Sequence, residues 1–138
     1  MSGEFEGKVA LVTGASSGIG RACALAFARR GTKVAIADVQ VEGSEETVRL
    51  IKAAGGEAFF FKCDVSKSEK VEALVNATIQ TYGRLDFACN NAGIEGEAAS
   101  TADCSEDNWQ RVIDVNLKGV WLCMKHELAE MMKRKSGA

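Results

Sequence analysis

The 138 residues contain no proline, one histidine and one tyrosine. Proline makes up about 5% of an average protein, so this chain has few hard stops and must turn on its 14 glycines. A lone His126 with no Cys/His cluster argues against a zinc centre and reads as a partly exposed helix residue. The five cysteines (Cys23, Cys63, Cys89, Cys104 and Cys123) are odd in number and show no C-x-x-C spacing, which argues against a disulfide scaffold. Cys63 and Cys89 fall at strand ends and Cys23 and Cys123 on helices, as small buried hydrophobes do. Reduced thiols in the cytoplasm are the expectation.

Charge of one sign is also lacking. A net charge of −2 and a pI near 5.5 supply no basic face for nucleic acid and no polybasic arm for a membrane. The one basic cluster, Lys133-Arg134-Lys135, suits the negative end of a helix dipole. No apolar run is long enough to span a bilayer, and Met1–Glu6 lacks the charged-then-apolar pattern of a signal peptide. The length predicts one domain over residues 1–138 with a substantial core.

What is present begins with Thr13-Gly14-Ala15-Ser16-Ser17-Gly18-Ile19-Gly20. An apolar run, Lys8 to Val12, reads as a strand before it, and Ile19 to about Arg30 reads as a helix after it. A glycine turn between strand and helix converges unpartnered backbone N–H groups at the positive end of a helix dipole, a cradle for phosphate. The first helix is expected to turn Ala22, Cys23, Ala26 and Phe27 toward the sheet, with Gly31 as its stop. A strand over Lys33 to Ala37 follows, then a helix from Glu42 to about Ala54 and a strand over Glu57 to Lys62. Ser66 and Glu69 suggest a capping box for a helix from Lys67 to Tyr82. A fourth strand reads as Leu85 to Cys89, and one long helix runs from Ser105 to Arg134, with Trp109, Val112, Ile113, Val120, Met124, Leu128 and Met131 toward the core. Alternation of this kind calls for an α/β fold: a Rossmann-like, doubly wound parallel sheet of four strands in order 3-2-1-4.

Several polar residues fall at the carboxyl ends of these strands, where open α/β sheets bind ligands. Asp38 ends the second strand, placed to accept hydrogen bonds from ribose hydroxyls and to repel a 2′-phosphate. With no Arg or Lys at positions 16, 17 or 39, NAD is expected over NADP. Asp64 and Val65 end the third strand, where they border an adenine or simply form a turn. Asn90, Asn91 and Gly93 end the fourth, where the amides either tie strands together or meet a ribose. Asn116 falls in the apolar stripe of the long helix, where an amide must be hydrogen-bonded or face the crevice.

Taken in order, T-G-x-x-x-G-x-G at Thr13–Gly20, Asp38, Asp64-Val65, N-N-A-G at Asn90–Gly93 and the asparagine of Asp114-Val115-Asn116-Leu117 resemble the short-chain dehydrogenase/reductase family. The resemblance implies a nicotinamide cofactor held by Gly14, Ser16, Ser17, Gly18, Ile19, Gly20, Asp38, Asp64, Val65, Asn91 and Gly93. It also implies an alcohol or carbonyl substrate, association through the long helix into a homo-oligomer, and no metal. Asn116 matches the asparagine of the family's Asn-Ser-Tyr-Lys catalytic group. The serine strand and Y-x-x-x-K helix of that group have no match: Tyr82 is the only tyrosine, and Asp86 stands four residues on. The chain is therefore expected to be the cofactor-binding, N-terminal part of a longer domain and inactive by itself. An independent, non-catalytic nucleotide-binding or interaction module is the alternative. A sheet stopping at four strands is expected to leave the fourth as an unpaired edge. The long helix would then expose Trp121, Met124 or Met131.

Overall fold

The computed structural model describes residues 3–138; Met1 and Ser2, part of the N-terminal stretch read above, lie outside the described residues. Its elements are β1 (Val9–Thr13), α1 (Gly18–Arg29), β2 (Lys33–Asp38), α2 (Val41–Ala53), β3 (Ala58–Lys62), α3 (Ser68–Tyr82), β4 (Phe87–Asn90), α4 (Glu106–Ile113), a π-helical turn (Asp114–Lys118) and α5 (Gly119–Arg134). The four strands form one parallel sheet in the order β3-β2-β1-β4, as expected.

The near-continuous apolar runs of β1 and β2 are explained by cover on both faces. Leu11, Ala35 and Ala37 pack with Val71, Leu74 and Val75 of α3 and Leu122, Cys123 and Met131 of α5. Val12, Val34 and Ile36 point the other way, onto Ala24 of α1 and Ile51 of α2. Each fully buried Leu or Ile contributes about 1.5–3 kcal/mol, and Leu11, Ile36, Ile51 and Leu74 are all of this kind. Gly31 and Gly83, at φ of 92° and 80°, end α1 and α3 in the left-handed region that glycine enters without strain.

Four local expectations are corrected. The sheet-facing side of α1 is Gly20, Cys23, Ala24 and Phe27, while Ala22 and Ala26 are exposed. Ser66 does not cap α3: its Oγ donates to Asp64 Oδ1 at 2.7 Å, and Lys67 occupies the N-cap without a side-chain bond. The helix begins one residue later than expected, at Ser68, which puts Ser66 outside the capping position. The long helix is interrupted by the π-helical turn, and its buried side is Asn108, Gly119, Leu122, Cys123, Glu127 and Met131. Trp109, Met124 and Leu128 are exposed. This helix is apolar on two sides, and the side facing the sheet carries a glycine and a glutamate, so hydrophobic periodicity selects the wrong one. Finally, β4 is the edge strand, but its open side is met by Ala138, which donates to Asp86 O and accepts from Ala88 N. Of the three residues that a four-strand sheet is expected to expose, Trp121 and Met124 are exposed, whereas Met131 keeps its place in the core stripe, lying close against Gly137.

Candidate active site

The carboxyl ends of the strands open into a cleft of about 570 Å³. Gly14, Asp38, Asp64, Val65 and Gly93 line it together, joined by Ser66, Ile94, Arg111 and Val115. Five of the expected cofactor residues thus come from four different strand ends into one wall.

The glycine turn is built by close approach. A Cβ on Gly20 would lie 2.1 Å from Gly14 O, and one on Gly14 would lie 2.8 Å from Ala92 Cα. Gly18 differs: at φ of 53° it requires glycine for its backbone, and a Cβ there would meet nothing within 4 Å. Open space therefore lies over the start of α1, where Ser17 makes no side-chain cap bond. That leaves first-turn amides facing room for an anion, which fits a pyrophosphate. Ser17, Gly18 and Ile19 are exposed here, while Ser16 and Gly20 are buried in the turn's support.

Asp38 is held in place by two backbone donors. Its Oδ2 accepts from Ser16 N at 3.0 Å and its Oδ1 from Gln40 N at 2.9 Å. The carboxylate so fixes the glycine turn to the end of β2 and presents its remaining lone pairs to the cleft. Asp64 accepts from Ser66 N at 3.0 Å and from Ser66 Oγ, which makes it a turn former that also lines the cleft. Val65 is buried, and a Cβ on Gly119 would lie 2.7 Å from its Cγ2, so α5 starts hard against the cleft wall.

The asparagines divide between tying and positioning. Asn91 Nδ2 donates to Thr13 O and Gly14 O, and Asn90 Nδ2 donates to Glu127 Oε2. Both amides act between elements, and Asn91 backs the cleft rather than lining it. Asn116 is not in a buried stripe. It sits in the π-helical turn, exposed, with Oδ1 accepting from Ile94 N and Nδ2 donating to Ile94 O, each at 2.8 Å. The extra residue of the π turn carries its side chain off the helix face and across to the segment that closes the cleft.

Sequence reasoning missed Arg21 and Thr47. Arg21 donates to Thr47 Oγ1, Ser16 O and Gly43 O, riveting the glycine turn to α2. The Thr47 hydroxyl in turn donates to Ala15 O at 2.8 Å. Nothing in the local spacing marks these contacts, because they join residues 26 and 32 positions apart.

Residues 8–138 match the sequence pattern of the family described as short chain dehydrogenase. The chain belongs to that family. A short chain dehydrogenase/reductase of Aspergillus oryzae is 46% identical over 134 residues, covering 96% of this chain and 51% of that protein. The solved structure of an NAD+-bound xylitol dehydrogenase superposes with a TM-score of 0.94 at 36% identity, covering 97% of this chain and 52% of that one. A metagenomic short-chain oxidoreductase in complex with NADP superposes with a TM-score of 0.92 at 35% identity, covering 96% of this chain and 60% of that one. The chain spans about half the length of the curated relatives it matches. The family thus includes similar folds with either nicotinamide dinucleotide, and the choice between them falls to the residues of this cleft.

Proposed function

We propose that residues 1–138 are the N-terminal, cofactor-binding part of an oxidoreductase that moves a hydride between NAD(H) and a small alcohol or carbonyl compound. Asp38 is the observation that carries this reading. Its carboxylate lines the cleft at the end of β2, anchored by Ser16 N, with Val39 rather than a basic residue after it. Arg21, the nearest cation of the glycine turn, has its donors committed to Thr47, Ser16 and Gly43. A 2′-phosphate beside Asp38 would meet a fixed negative charge with no Arg or Lys at positions 16, 17 or 39, whereas ribose hydroxyls would meet an acceptor.

In this reading the amides from Ser17 to Gly20 bind the pyrophosphate, and Gly14 and Gly93 let it approach the backbone. Asp38 accepts from the adenosine ribose, and Asp64 and Val65 border the adenine. Asn91 holds the turn between β1 and β4. Hydride transfer is the chemistry that the nicotinamide supplies when bound. Asn116 takes the asparagine position of the family's catalytic group, acting through its grip on Ile94. The outward face of α5, with Trp121 54% exposed and Met124 and Leu128 beside it in the helix, serves association into a homo-oligomer. All five cysteines are free thiols, which fits a reducing cytoplasm.

A second reading, a nucleotide-binding module without turnover, is favoured by Tyr82. The Tyr82 ring packs on Phe59 and under Lys33, at the amino end of the sheet and away from the cleft. Burial pushes its phenol up to about 12, away from the range useful for proton transfer near neutrality. These 138 residues therefore bring no tyrosine to the cleft. Titration with NADH and NADPH tests the cofactor assignment: NADH is expected to bind at least about tenfold more tightly. Asp38→Ala is expected to narrow the gap, and equal binding of both by the unmodified protein overturns the assignment.

A further inference from the structure

Two buried oxygens without partners sit on either side of a single hydrogen bond at the end of β4. Asn90 Nδ2 donates to Glu127 Oε2 at 2.8 Å. Asn90 Oδ1 and Glu127 Oε1 are both sealed from solvent and bonded to nothing. Glu127 is only 2% exposed, and no ion pair reaches it among the described residues. An ionised carboxylate in that position would be a buried charge with one oxygen left without a donor.

One proton removes both defects. A carboxylic acid and a carboxamide each present a donor and an acceptor side by side. Facing each other, such groups can close a ring of two hydrogen bonds: the observed Asn90 Nδ2–H to Glu127 Oε2 and, with the proton in place, Glu127 Oε1–H to Asn90 Oδ1. We propose that Glu127 is protonated in the folded protein and clamps Asn90 as a neutral acid–amide pair, making Glu127 a positioning residue for the cofactor turn. Asn90 precedes Asn91, whose side chain ties Thr13 and Gly14, so the pair anchors the β4 end of that tie to α5.

The surroundings favour the neutral form. Burial raises the Glu127 carboxyl from its ordinary 4.5 to about 7, with the Asn90 N–H opposing it. The ionisable groups facing it are thiols: Cys89 on β4 and Cys123 on α5, both raised by burial, then by other charges including Glu127. The α3 side of the same core contributes the apolar Val71, Leu74 and Val75. His126 precedes Glu127 on α5 and has a buried Nε2 without a partner. Because the folded-state pKa lies above the ordinary one, the clamp's stabilisation is complete in acid and is lost as pH rises through about 7.

The test uses the full-length protein with E127Q and E127A. Infrared difference spectra against E127Q read the proton directly: a protonated carboxyl band is expected on the acid side of neutrality, fading as pH rises from about 5 to 8. Gln reproduces the ring as an amide–amide pair, so E127Q is expected to keep its melting temperature and NADH affinity and to lose the alkaline decline in both. E127A is expected to weaken NADH binding about tenfold or to fail to fold. A carboxylate band throughout that pH range, or an E127Q protein as impaired as E127A, overturns the proposal. The NADH readout rests on the cofactor reading above, whereas the infrared and melting readouts do not, so failure of one is distinguishable from failure of the other.

Discussion

Asn91 grips Thr13 twice across the gap between β1 and β4, once through its backbone and once through its side chain. The Thr13 hydroxyl accepts from Asn91 N at 3.0 Å, and Thr13 O accepts from Asn91 Nδ2 at 3.1 Å. Ala92 N ends on the same hydroxyl, also at 3.0 Å. Pairing of the two strands ends at Thr13 and Asn90, so this double grip lies where the cleft begins.

Replacing Thr13 by Val keeps the shape and removes the acceptor. Thr13 is 1% exposed, so water cannot take over for the two N–H groups left behind. Thr13→Val is expected to cost about 1–3 kcal/mol in urea unfolding and to weaken dinucleotide binding. Thr13→Ser, which keeps the hydroxyl, should recover most of both; a Thr13→Val protein as stable and as tightly binding as the unmodified one would show that the hydroxyl carries neither effect.

The other end of the same strand pair is held by charge. Asp86, almost fully buried, accepts from Val9 N at 2.9 Å and takes a two-pronged contact from Arg84, with Lys8 Nζ 3.7 Å away. Burial pushes this carboxyl up, but the Arg84 and Val9 hydrogen bonds and the Arg84 and Lys8 charges outweigh it and hold the pKa below its ordinary 3.8. The sign follows: the stabilisation is complete above the ordinary value and is lost as pH falls through the lowered one. Asp86→Asn is expected to lower stability by about 1–3 kcal/mol at neutral pH and to flatten its decline in acid. Chemical denaturation across a pH series reads both effects.

The residues easiest to read in the sequence are those whose role is steric and local. Gly14, Gly18 and Gly20 each meet a different backbone need within eight positions, so their order alone marks the turn. The strand order follows from alternation of short apolar runs with helices, and Asp38 from its place at a strand end. Residues whose partners lie far along the chain are harder to read. Arg21 looks like a solvated helix residue until α2 brings Thr47 and Gly43 to it. Glu127 looks exposed because glutamate usually is, and its burial depends on Asn90 from another element. Asn116 was legible as unusual but not as what it is, because a π-helical turn has no signature in hydrophobic period. The exposed apolar face of α5 competed with the buried one for the same reason.

Asn116 gives the sharpest separation between local and global effects. Its amide copies a neighbouring strand, offering an acceptor to Ile94 N and a donor to Ile94 O at 2.8 Å each. Ile94 lines the cleft, and a Cβ on the preceding Gly93 would lie 3.3 Å from Asn116 Oδ1, so the side chain seats the whole segment. Because the bonds are exposed, water can take their place in the variant, and Asn116→Ala is expected to change unfolding stability by less than about 1 kcal/mol. The cleft wall, however, loses the one side-chain tether to Ile94 among the described residues. Hydrogen exchange at Ile94 N should accelerate, and NADH binding should weaken by roughly three- to tenfold, or about 0.7–1.4 kcal/mol. Asn116→Asp is the harsher case, since a carboxylate turns a donor into a charge facing Ile94 O. It should weaken binding more than Ala does, with a gap that widens as pH rises past the carboxylate range. Unchanged exchange at Ile94 in both variants would show that the π-helical turn itself holds the segment and that the amide is a passenger.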